Sequence, residues 1–242
     1  MAELLISIKD LTKTYQTRGG AVHALNGVSL DIYKGESVAV MGQSGSGKST
    51  LLSIIGGLSR PTGGTIEIDG VQIYGLSQEK RADFRMKKIG FVFQQFQLIP
   101  YLTALENVML PLASSRGSSR QKKELARHVL ERVGITREIH RLPSEISGGE
   151  QERVAIARAL INDPPVILAD EPTGSLDTKT GTEIMELFET LNREGQTLLM
   201  MTHNPLNTSY MGRTIIMKDG NLSKGQQDMP QYLPGGQVGG TL

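Results

Sequence analysis

Short apolar runs alternate with helix-like segments along most of the chain, and this pattern predicts a mixed α/β protein. Runs typical of strands occupy residues 4–8, 28–32, 37–41, 65–69, 89–93, 166–171, 197–201 and 213–217. Segments typical of helices occupy residues 50–55, 77–88 and 178–193. In the second half of the chain the two kinds of segment alternate, which is typical of a parallel sheet covered by helices.

The first part of the chain is predicted to form an antiparallel sheet beside that parallel core. Strands 4–8 and 28–32 are separated by a polar turn region at residues 15–20. A second turn at residues 61–64, rich in Pro and Gly, precedes a half-buried strand at 65–69.

Residues 103–159 follow a helical pattern that is interrupted by a polar linker at residues 114–123. We therefore expect a single domain at residues 1–224, into which a helical subdomain at about residues 95–160 is inserted. The segment at 77–88 is highly charged, and the simplest interpretation of its basic residues is a solvated face: Lys80, Arg81, Arg85, Lys87 and Lys88.

The composition fits one α/β domain and limits its function. The chain has 242 residues, 38% of them hydrophobic, and a formal net charge of +1, so binding to nucleic acid is not expected. Cysteine is absent, which excludes disulfides and Cys-based metal sites. With no visible signal peptide or long apolar span, we expect membrane association only through a partner. Residues 225–242 are rich in Gly, Gln and Pro, which predicts a flexible tail.

The stretch from Gly42 to Thr50 carries the clearest chemical signal. It fits the pattern G-x-x-x-x-G-K-[ST] of loops whose backbone N–H groups surround the phosphates of a nucleotide. A strand-like run precedes it and a helix-like run follows, so the helix dipole faces the anion. The residues predicted to bind the nucleotide are Gly42, Ser44, Gly45, Ser46, Gly47, Lys48, Ser49 and Thr50.

Residue types in this phosphate loop (residues 42–50) have separate predicted tasks. Gly45 and Gly47 let the backbone approach the phosphates without a Cβ atom in the way. Lys48 is predicted to reach the β- and γ-phosphates, and the Ser49 hydroxyl to bind Mg²⁺.

An apolar strand that ends in Asp170 and Glu171 provides a second element of a phosphate site. Asp170 is predicted to hold the Mg²⁺ ion, and Glu171 to polarise an attacking water. Many buried strands end in an acid, so this pair is informative only together with the phosphate loop. The two elements together indicate a Mg²⁺-dependent nucleoside triphosphatase.

Ser147, Gly148 and Gly149 open another predicted helix and form a second anion site on a helix dipole. The first loop already surrounds the phosphates of one nucleotide. The economical interpretation is therefore that this signature segment (residues 147–149) faces a nucleotide held by a second copy of the chain.

Residues 146–160 resemble the signature of ABC-transporter ATPase subunits, usually written L-S-G-G-Q, and the resemblance covers roughly residues 4–224. It implies a P-loop NTPase (RecA-like) core, an antiparallel β subdomain and an inserted α-helical subdomain, with ATP and Mg²⁺ as ligands. By position, Tyr15 matches an aromatic that stacks on adenine, and Gln94 a glutamine that contacts Mg²⁺ or water and senses the membrane partner.

Two further positions match functional residues of the same family. Asp177, in the loop after Glu171, matches a residue that communicates across the dimer. His203 matches a switch histidine that contacts the γ-phosphate. Two residues depart from the usual signature: Ile146 replaces Leu, and Glu150 replaces Gln. We expect the site to survive, with the charge of Glu150 adjusting dimer affinity or the rate of hydrolysis.

The resemblance implies that two copies bind two ATP·Mg²⁺ head to tail. One copy would contribute its phosphate loop with Gln94, Asp170, Glu171 and His203, and the other Ser147, Gly149 and Asp177. The sequence of residues 89–108 and 170–177 is similar to that of the macrolide-exporter and lipoprotein-release branch of this family. That branch pairs with an integral membrane permease, which places the chain at the cytoplasmic face of the membrane.

The permease is expected to dock between Gln95 and Leu110, where Leu98, Ile99, Pro100 and Tyr101 predict an exposed apolar patch. A soluble ABC ATPase that clamps nucleic acid in repair or translation is the main alternative, although it usually carries two ATPase halves or a long coiled-coil insertion. A kinase that shares the phosphate loop would have no use for the signature segment. A pure nucleotide-binding regulator is disfavoured by the presence of Glu171.

Overall fold

The central sheet of the computed structural model, which describes residues 2–224, contains the five buried strands that the sequence predicts for it and one further strand, Asn221–Lys224, that was not predicted. In spatial order its strands are β10 (Asn221–Lys224), β9 (Arg213–Lys218), β3 (Ser37–Met41), β8 (Thr197–Thr202), β7 (Val166–Asp170) and β6 (Ile89–Phe93). The strands from β9 to β6 run parallel, and β10 pairs antiparallel with β9. The predicted tail at residues 225–242 lies outside the described residues.

A second, antiparallel sheet lies beside the central one, as predicted, but its first two strands are longer than expected. Its strands, in spatial order, are β2 (Gly20–Tyr33), β1 (Leu4–Thr17), β4 (Gly63–Ile68) and β5 (Val71–Gln72). The predicted turn at residues 15–20 is wrong at its start, because Tyr15 pairs with Val22 and Thr17 with Gly20. This outer part of the hairpin is exposed, so its strands lack the apolar alternation that marks half-buried strands.

Seven α-helices connect the strands in the described part of the chain. They are α1 (Lys48–Ile55), α2 (Gln78–Lys88), α3 (Ala104–Met109), α4 (Ser119–Arg132), α5 (Gly148–Leu160), α6 (Thr178–Arg193) and α7 (Pro205–Thr208). Helix α4 begins inside the predicted linker at 114–123, because Ser118 and Gln121 form a reciprocal pair of hydrogen bonds at its start.

Alternate residues of the central strands face two separate apolar layers. In β7, Ile167 and Ala169 pack into the layer formed with α3, α4, α5 and α6. Val166 and Leu168 face the other layer, which contains α1 and the inner side of the antiparallel sheet. Because both faces of the sheet are covered, the polar residues that follow its strands are confined to the sheet edges.

The basic segment at 77–88 forms α2, and its predicted solvation is wrong for Arg81. The Arg81 side chain is buried, and its guanidinium carbon lies 5.3 Å from the centre of the Tyr74 ring. The Tyr74 hydroxyl donates to the carbonyls of Ile54 and Ser59, both at 2.6 Å. Burial raises the pKa of Tyr74 to about 12. This arginine therefore packs α2 onto the end of α1.

Among residues 2–224, no helix combines the length and the apolar character needed to cross a bilayer.

Candidate functional site

Four predicted site residues follow strands whose carboxyl ends meet at one edge of the central sheet. Register pairs Met41 with Thr202, Asp170 with Met201 and Phe93 with Asp170. The next residues along these strands are Gly42, His203, Glu171 and Gln94. Ligands of open α/β sheets bind at this kind of edge, so the topology brings the phosphate loop and the predicted catalytic groups together.

The phosphate loop is closed around the side chain of Lys48. The Lys48 Nζ atom donates to the carbonyl oxygens of Gly42 at 2.7 Å and Gln43 at 3.2 Å. The Gly42 backbone N–H donates to Thr202 at 3.2 Å, which ties the loop to the neighbouring strand. Lys48 is the first residue of α1 and is buried, so its charge lies at the helix end that attracts phosphate.

Glycine is required in this loop for packing as well as for backbone freedom. A Cβ atom on Gly47 would lie 2.5 Å from the carbonyl oxygen of Ala24, and one on Gly42 would lie 2.3 Å from that of Met217. Gly47 also has a φ of +107°. Gly45 has a φ of +81°, but a Cβ there would meet open space. Close approach of β2 and β9 thus explains Gly47 and Gly42, whereas backbone conformation explains Gly45.

Glu171 joins the phosphate loop to His203. Its Oε1 atom lies 2.9 Å from Nδ1 of His203 and 3.6 Å from Nζ of Lys48. Its Oε2 atom accepts from the His203 backbone N–H at 3.1 Å. Glu171 has a φ of +49°, in the left-handed region that few residues other than glycine adopt. The structure therefore places Glu171 in contact with two other predicted catalytic residues, Lys48 and His203.

The carboxylate of Asp170 fits a role in binding Mg²⁺. Its Oδ1 atom is buried and has no hydrogen-bond partner among the described residues. Burial raises the pKa of Asp170, and the nearby Ser49 hydroxyl acts in the opposite direction. No cluster of three or more His, Asp or Glu side chains suits a metal in residues 2–224. Mg²⁺ needs no such cluster, since one carboxylate, a hydroxyl, phosphate oxygens and waters complete its shell.

Gln94 lies at the same sheet edge, directly after β6. Its side chain is exposed, and its backbone carbonyl accepts from the Ser175 hydroxyl at 3.0 Å. A Cβ atom on Gly174 would lie 2.9 Å from the amide nitrogen of Gln94. Gln94 is therefore packed against the loop that runs from Glu171 to Asp177, and its exposed side chain is free to reach a ligand at this edge.

The signature segment forms the start of α5. The Ser147 hydroxyl accepts from the Glu150 backbone N–H at 3.3 Å, and the Glu150 carboxylate accepts from the Ser147 backbone N–H at 2.6 Å. A Cβ atom on Gly149 would lie 2.4 Å from Cγ2 of Thr180, so glycine allows α5 to approach the start of α6. A Cβ atom on Gly148 would lie 3.3 Å from Leu176.

Asp177 lies beside the signature segment and caps α6. Its carboxylate accepts from the Thr180 backbone N–H at 3.0 Å and from the Thr180 hydroxyl at 2.6 Å. These bonds lower the pKa of Asp177. Thr180 is thus a neighbour of both Asp177 and Gly149. Asp177 and the signature segment therefore form a second group of predicted site residues, separate from the group that contacts Lys48.

The remaining predicted binding residues lie around these two groups. Tyr15 is 40% exposed on β1, and Nζ of Lys13 lies 4.8 Å from its ring centre. Ser44 is exposed, Ser46 is buried with an unpartnered hydroxyl among the described residues, and Thr50 is half-buried in α1. The exposed ring of Tyr15 leaves an aromatic surface open to a ligand.

Sequence reasoning missed two charged residues of α5. Arg158 donates to the carbonyls of Phe96 at 2.7 Å and Gln97 at 2.5 Å, just after Gln94. Phe96 and Gln97 have φ values of +55° and +52°, so Arg158 holds a strained turn. Glu152 is fully buried, and burial raises its pKa to about 9. Glu152 precedes the apolar residues Ala155 and Ile156 by three and four positions, so it lies on the same helix face as they do. This spacing is the signal in the sequence that could have indicated its burial.

Comparison with known proteins gives a family model described as "ABC transporter", which matches residues 25–174. The chain is 46% identical to the lipoprotein-releasing system ATP-binding protein LolD of Geobacter metallireducens, covering 90% of this chain and 97% of that protein. It is 45% identical to the macrolide export ATP-binding/permease protein MacB of Syntrophobacter fumaroxidans, covering 94% of this chain and 33% of that longer protein.

A solved structure is similar over nearly the whole described fold. The dimeric post-hydrolysis state of the ATP-binding cassette MJ0796, bound to ADP and Pi, superposes with a TM-score of 0.83 at 45% identity. The match covers 91% of this chain and 98% of that one. These findings confirm the predicted fold and the branch that residues 89–108 and 170–177 indicated.

Proposed function

Because the chain belongs to the ABC transporter family and is an ATP-hydrolysing subunit, we propose that two copies close head to tail around two ATP·Mg²⁺. The arrangement of polar groups supports this proposal. Lys48, Glu171 and His203 meet at the sheet edge, whereas the hydrogen bonds of Ser147 go to Glu150 and Gln151 on its own helix. A partner's signature segment would complete each site. The proposed set from one copy is Tyr15, residues 42–50, Gln94, Asp170, Glu171 and His203, and from the other Ser147, Gly148, Gly149 and Asp177.

In each site Glu171 is proposed to act as the general base. His203 holds the Glu171 carboxylate through its backbone N–H and its Nδ1 atom, so the carboxylate is positioned to accept a proton from water. Lys48 stabilises the negative charge that develops on the transferred phosphoryl group. Mg²⁺ held by Asp170 and Ser49 would supply further charge neutralisation on the β- and γ-phosphates.

Mixing two inactive variants tests whether the site is shared between copies. Lys48→Ala and Ser147→Arg are each expected to abolish hydrolysis, because each damages both sites of its own homodimer. In a mixed dimer, one site combines an intact phosphate loop with an intact signature segment. An equimolar mixture should therefore regain about a quarter of the wild-type rate of phosphate release, since about half of the dimers are mixed and have one working site of two.

A matched mixture controls for indirect effects. In a mixture of Lys48→Ala with Glu171→Gln, both substituted residues belong to the part of the site that a single copy contributes. Each of the two sites in a mixed dimer then contains one of the substitutions. That mixture should stay inactive. If the first mixture is no more active than its components, the composite site is wrong.

The names of the relatives support a membrane permease as the partner of this chain. One relative is called an ATP-binding protein of a lipoprotein-releasing system, and another combines an ATP-binding part with a permease. We propose that the chain binds a separate permease of the export or extraction type at the cytoplasmic face of the membrane. The relatives do not favour the soluble clamp, and within residues 2–224 the longest helix, α6, has 16 residues, too few for a long coiled-coil insertion.

A groove of about 400 Å³ offers a docking site for this permease. Its walls come from α2, β6, the end of α5 and the turn after Gln94. Phe91 and Phe93 stack with ring centres 5.4 Å apart in one wall, and Leu58 is 52% exposed at the rim. Arg85 also lines the groove, so its chemistry suits a helix that presents an apolar face and an acidic residue.

The position of this groove modifies the docking prediction. Gln97 lines it, within the predicted interval between Gln95 and Leu110, but all of the other lining residues lie outside that interval. Tyr101 and Pro100 are exposed as predicted, whereas Leu98 and Ile99 are partly buried. The predicted patch is therefore smaller than expected, because Leu98 packs into the helical layer.

Leu58→Asp is expected to abolish association with the permease and to leave hydrolysis by the isolated chain unchanged. A carboxylate at the apolar rim of the groove would lose its water when a partner covers it. The measurement is co-sedimentation of the purified chain with membrane vesicles. The vesicles are prepared from cells of the source organism in which the gene for this chain has been deleted. Leu125→Asp is the matched control, because Leu125 is an exposed leucine on α4 and does not line the groove. Equal sedimentation of both variants would exclude this docking site.

A further inference from the structure

The carboxylate of Glu150 accepts from both hydrogen-bond donors of Ser147. Its Oε2 atom accepts from the Ser147 backbone N–H at 2.6 Å and from the Ser147 hydroxyl at 2.8 Å. In return, the hydroxyl oxygen accepts from the Glu150 backbone N–H at 3.3 Å. These bonds lower the pKa of Glu150, so its carboxylate is ionised at neutral pH and acts only as an acceptor.

This contact uses the group through which Ser147 would bind a phosphate. A serine hydroxyl has one proton to donate, and here that proton is bonded to Glu150. A phosphate oxygen from a second copy would have to displace the carboxylate or share the hydroxyl with it. Since both groups are anions at one helix N-terminus, they would also repel each other.

Capping of α5 does not by itself require a charge at this position. Helix α4 of the same chain begins with the same arrangement, in which neutral Gln121 replaces the carboxylate. Its Oε1 atom accepts from the Ser118 backbone N–H at 2.9 Å and from the Ser118 hydroxyl at 3.1 Å. A glutamine at position 150 would therefore keep both bonds and remove the charge. It would thus separate the capping of α5 by Glu150 from the repulsion between its charge and a phosphate.

From this geometry we infer that Glu150 is an internal competitor for the ATP of the second copy and weakens ATP-driven closure of the dimer. The inference rests on the composite site proposed above. Glu150 raises the ATP concentration at which two copies associate, and it favours their separation. Its role is regulation of the shared site, through a side chain that contacts the Ser147 hydroxyl directly.

Glu150→Gln tests the inference in a Glu171→Gln background, in which hydrolysis does not deplete ATP. Light scattering after size-exclusion chromatography would follow dimer formation over a range of ATP·Mg²⁺ concentrations. The ATP concentration for half-dimerisation should fall by about tenfold or more, a change equivalent to about 1.4 kcal/mol. The difference should shrink between about 0.05 and 0.5 M salt, because the repulsion is electrostatic.

Glu106→Gln is the matched control, because Glu106 forms the same arrangement with Thr103 at the start of α3. It should leave the ATP titration unchanged. If Glu150→Gln and its parent dimerise at the same ATP concentration, or if the variant dimerises less readily, the competitor role is overturned while the composite site stands. If the parent stays monomeric at every ATP concentration, both the composite site and the competitor role are overturned.

Discussion

Replacement of Glu171 by glutamine is expected to lower the rate of ATP hydrolysis by about 10²–10⁴-fold, the usual contribution of a general base. The amide oxygen of glutamine can still accept from the His203 backbone N–H, so the local structure should be kept. The amide cannot accept a proton from water at neutral pH. Binding of ATP should persist, because the phosphate loop and Asp170 are unchanged.

Two measurements on the purified variant check this expectation. Phosphate release should be almost lost, while light scattering should show a dimer that forms only when ATP·Mg²⁺ is present. Glu131→Gln, at an exposed glutamate of α4, should behave like the wild type in both assays. Hydrolysis at the wild-type rate would exclude Glu171 as the base. Loss of nucleotide binding would show instead that the carboxylate has a structural role through Lys48.

Glutamine in place of Glu152 is expected to stabilise the chain by about 3 kcal/mol at pH 7. The Glu152 side chain is fully buried in α5, and neither carboxylate oxygen has a hydrogen-bond partner among the described residues. Burial raises its pKa from 4.5 to about 9, although the charge of Arg158 acts in the opposite direction. The folded chain therefore holds this group as a neutral acid at pH 7, whereas the unfolded chain ionises it.

The sign of the pH dependence follows from this raised pKa. Below pH 4.5 the group is protonated in both states and costs no stability. As the pH rises from 4.5 towards 9, ionisation favours the unfolded state, so the contribution of Glu152 to the free energy of unfolding falls by about 1.4 kcal/mol per pH unit. Glu152→Gln removes this fall, since its amide does not titrate.

Denaturant unfolding of the wild type and Glu152→Gln between pH 5 and 8.5 would measure the difference. The two stability curves should lie close together at about pH 5 and diverge as the pH rises. Glu131→Gln should follow the wild-type curve, because its exposed carboxylate keeps its water. Parallel curves for wild type and Glu152→Gln would show that Glu152 is ionised in the folded chain.

The sequence predicted those parts of the molecule that are marked by a short, continuous run of residues. The phosphate loop and the two acids at the end of β7 are marked by short runs of defined residue types, and the comparisons confirm the family that these runs indicated. The buried strands of the central sheet are also local signals, because both faces are covered and the runs are continuously apolar. The individual tasks of Gln94, Asp177 and His203 remain predictions.

Features that depend on distant packing were not predictable from the residue pattern. The burial of Arg81 depends on Tyr74, and the strained turn at Phe96 depends on Arg158, which lies 62 residues further along the chain. The polar ends of β1 and β2 form strands because they pair with each other, not because either has apolar alternation. In each case a polar side chain or backbone finds its partner only in the folded chain.

Helix α5 connects the two surfaces to which function is assigned. Ser147 caps one end, and Arg158 near the other end binds the turn after Gln94 in the proposed docking groove. A helix of 13 residues is about 20 Å long, so α5 spans the distance between these two surfaces. If ATP bound by a second copy changes the position of this helix, the coupling is thermodynamically reciprocal. A permease that favours one position of α5 must then change the affinity of the chain for ATP by the same factor as ATP changes its affinity for the permease.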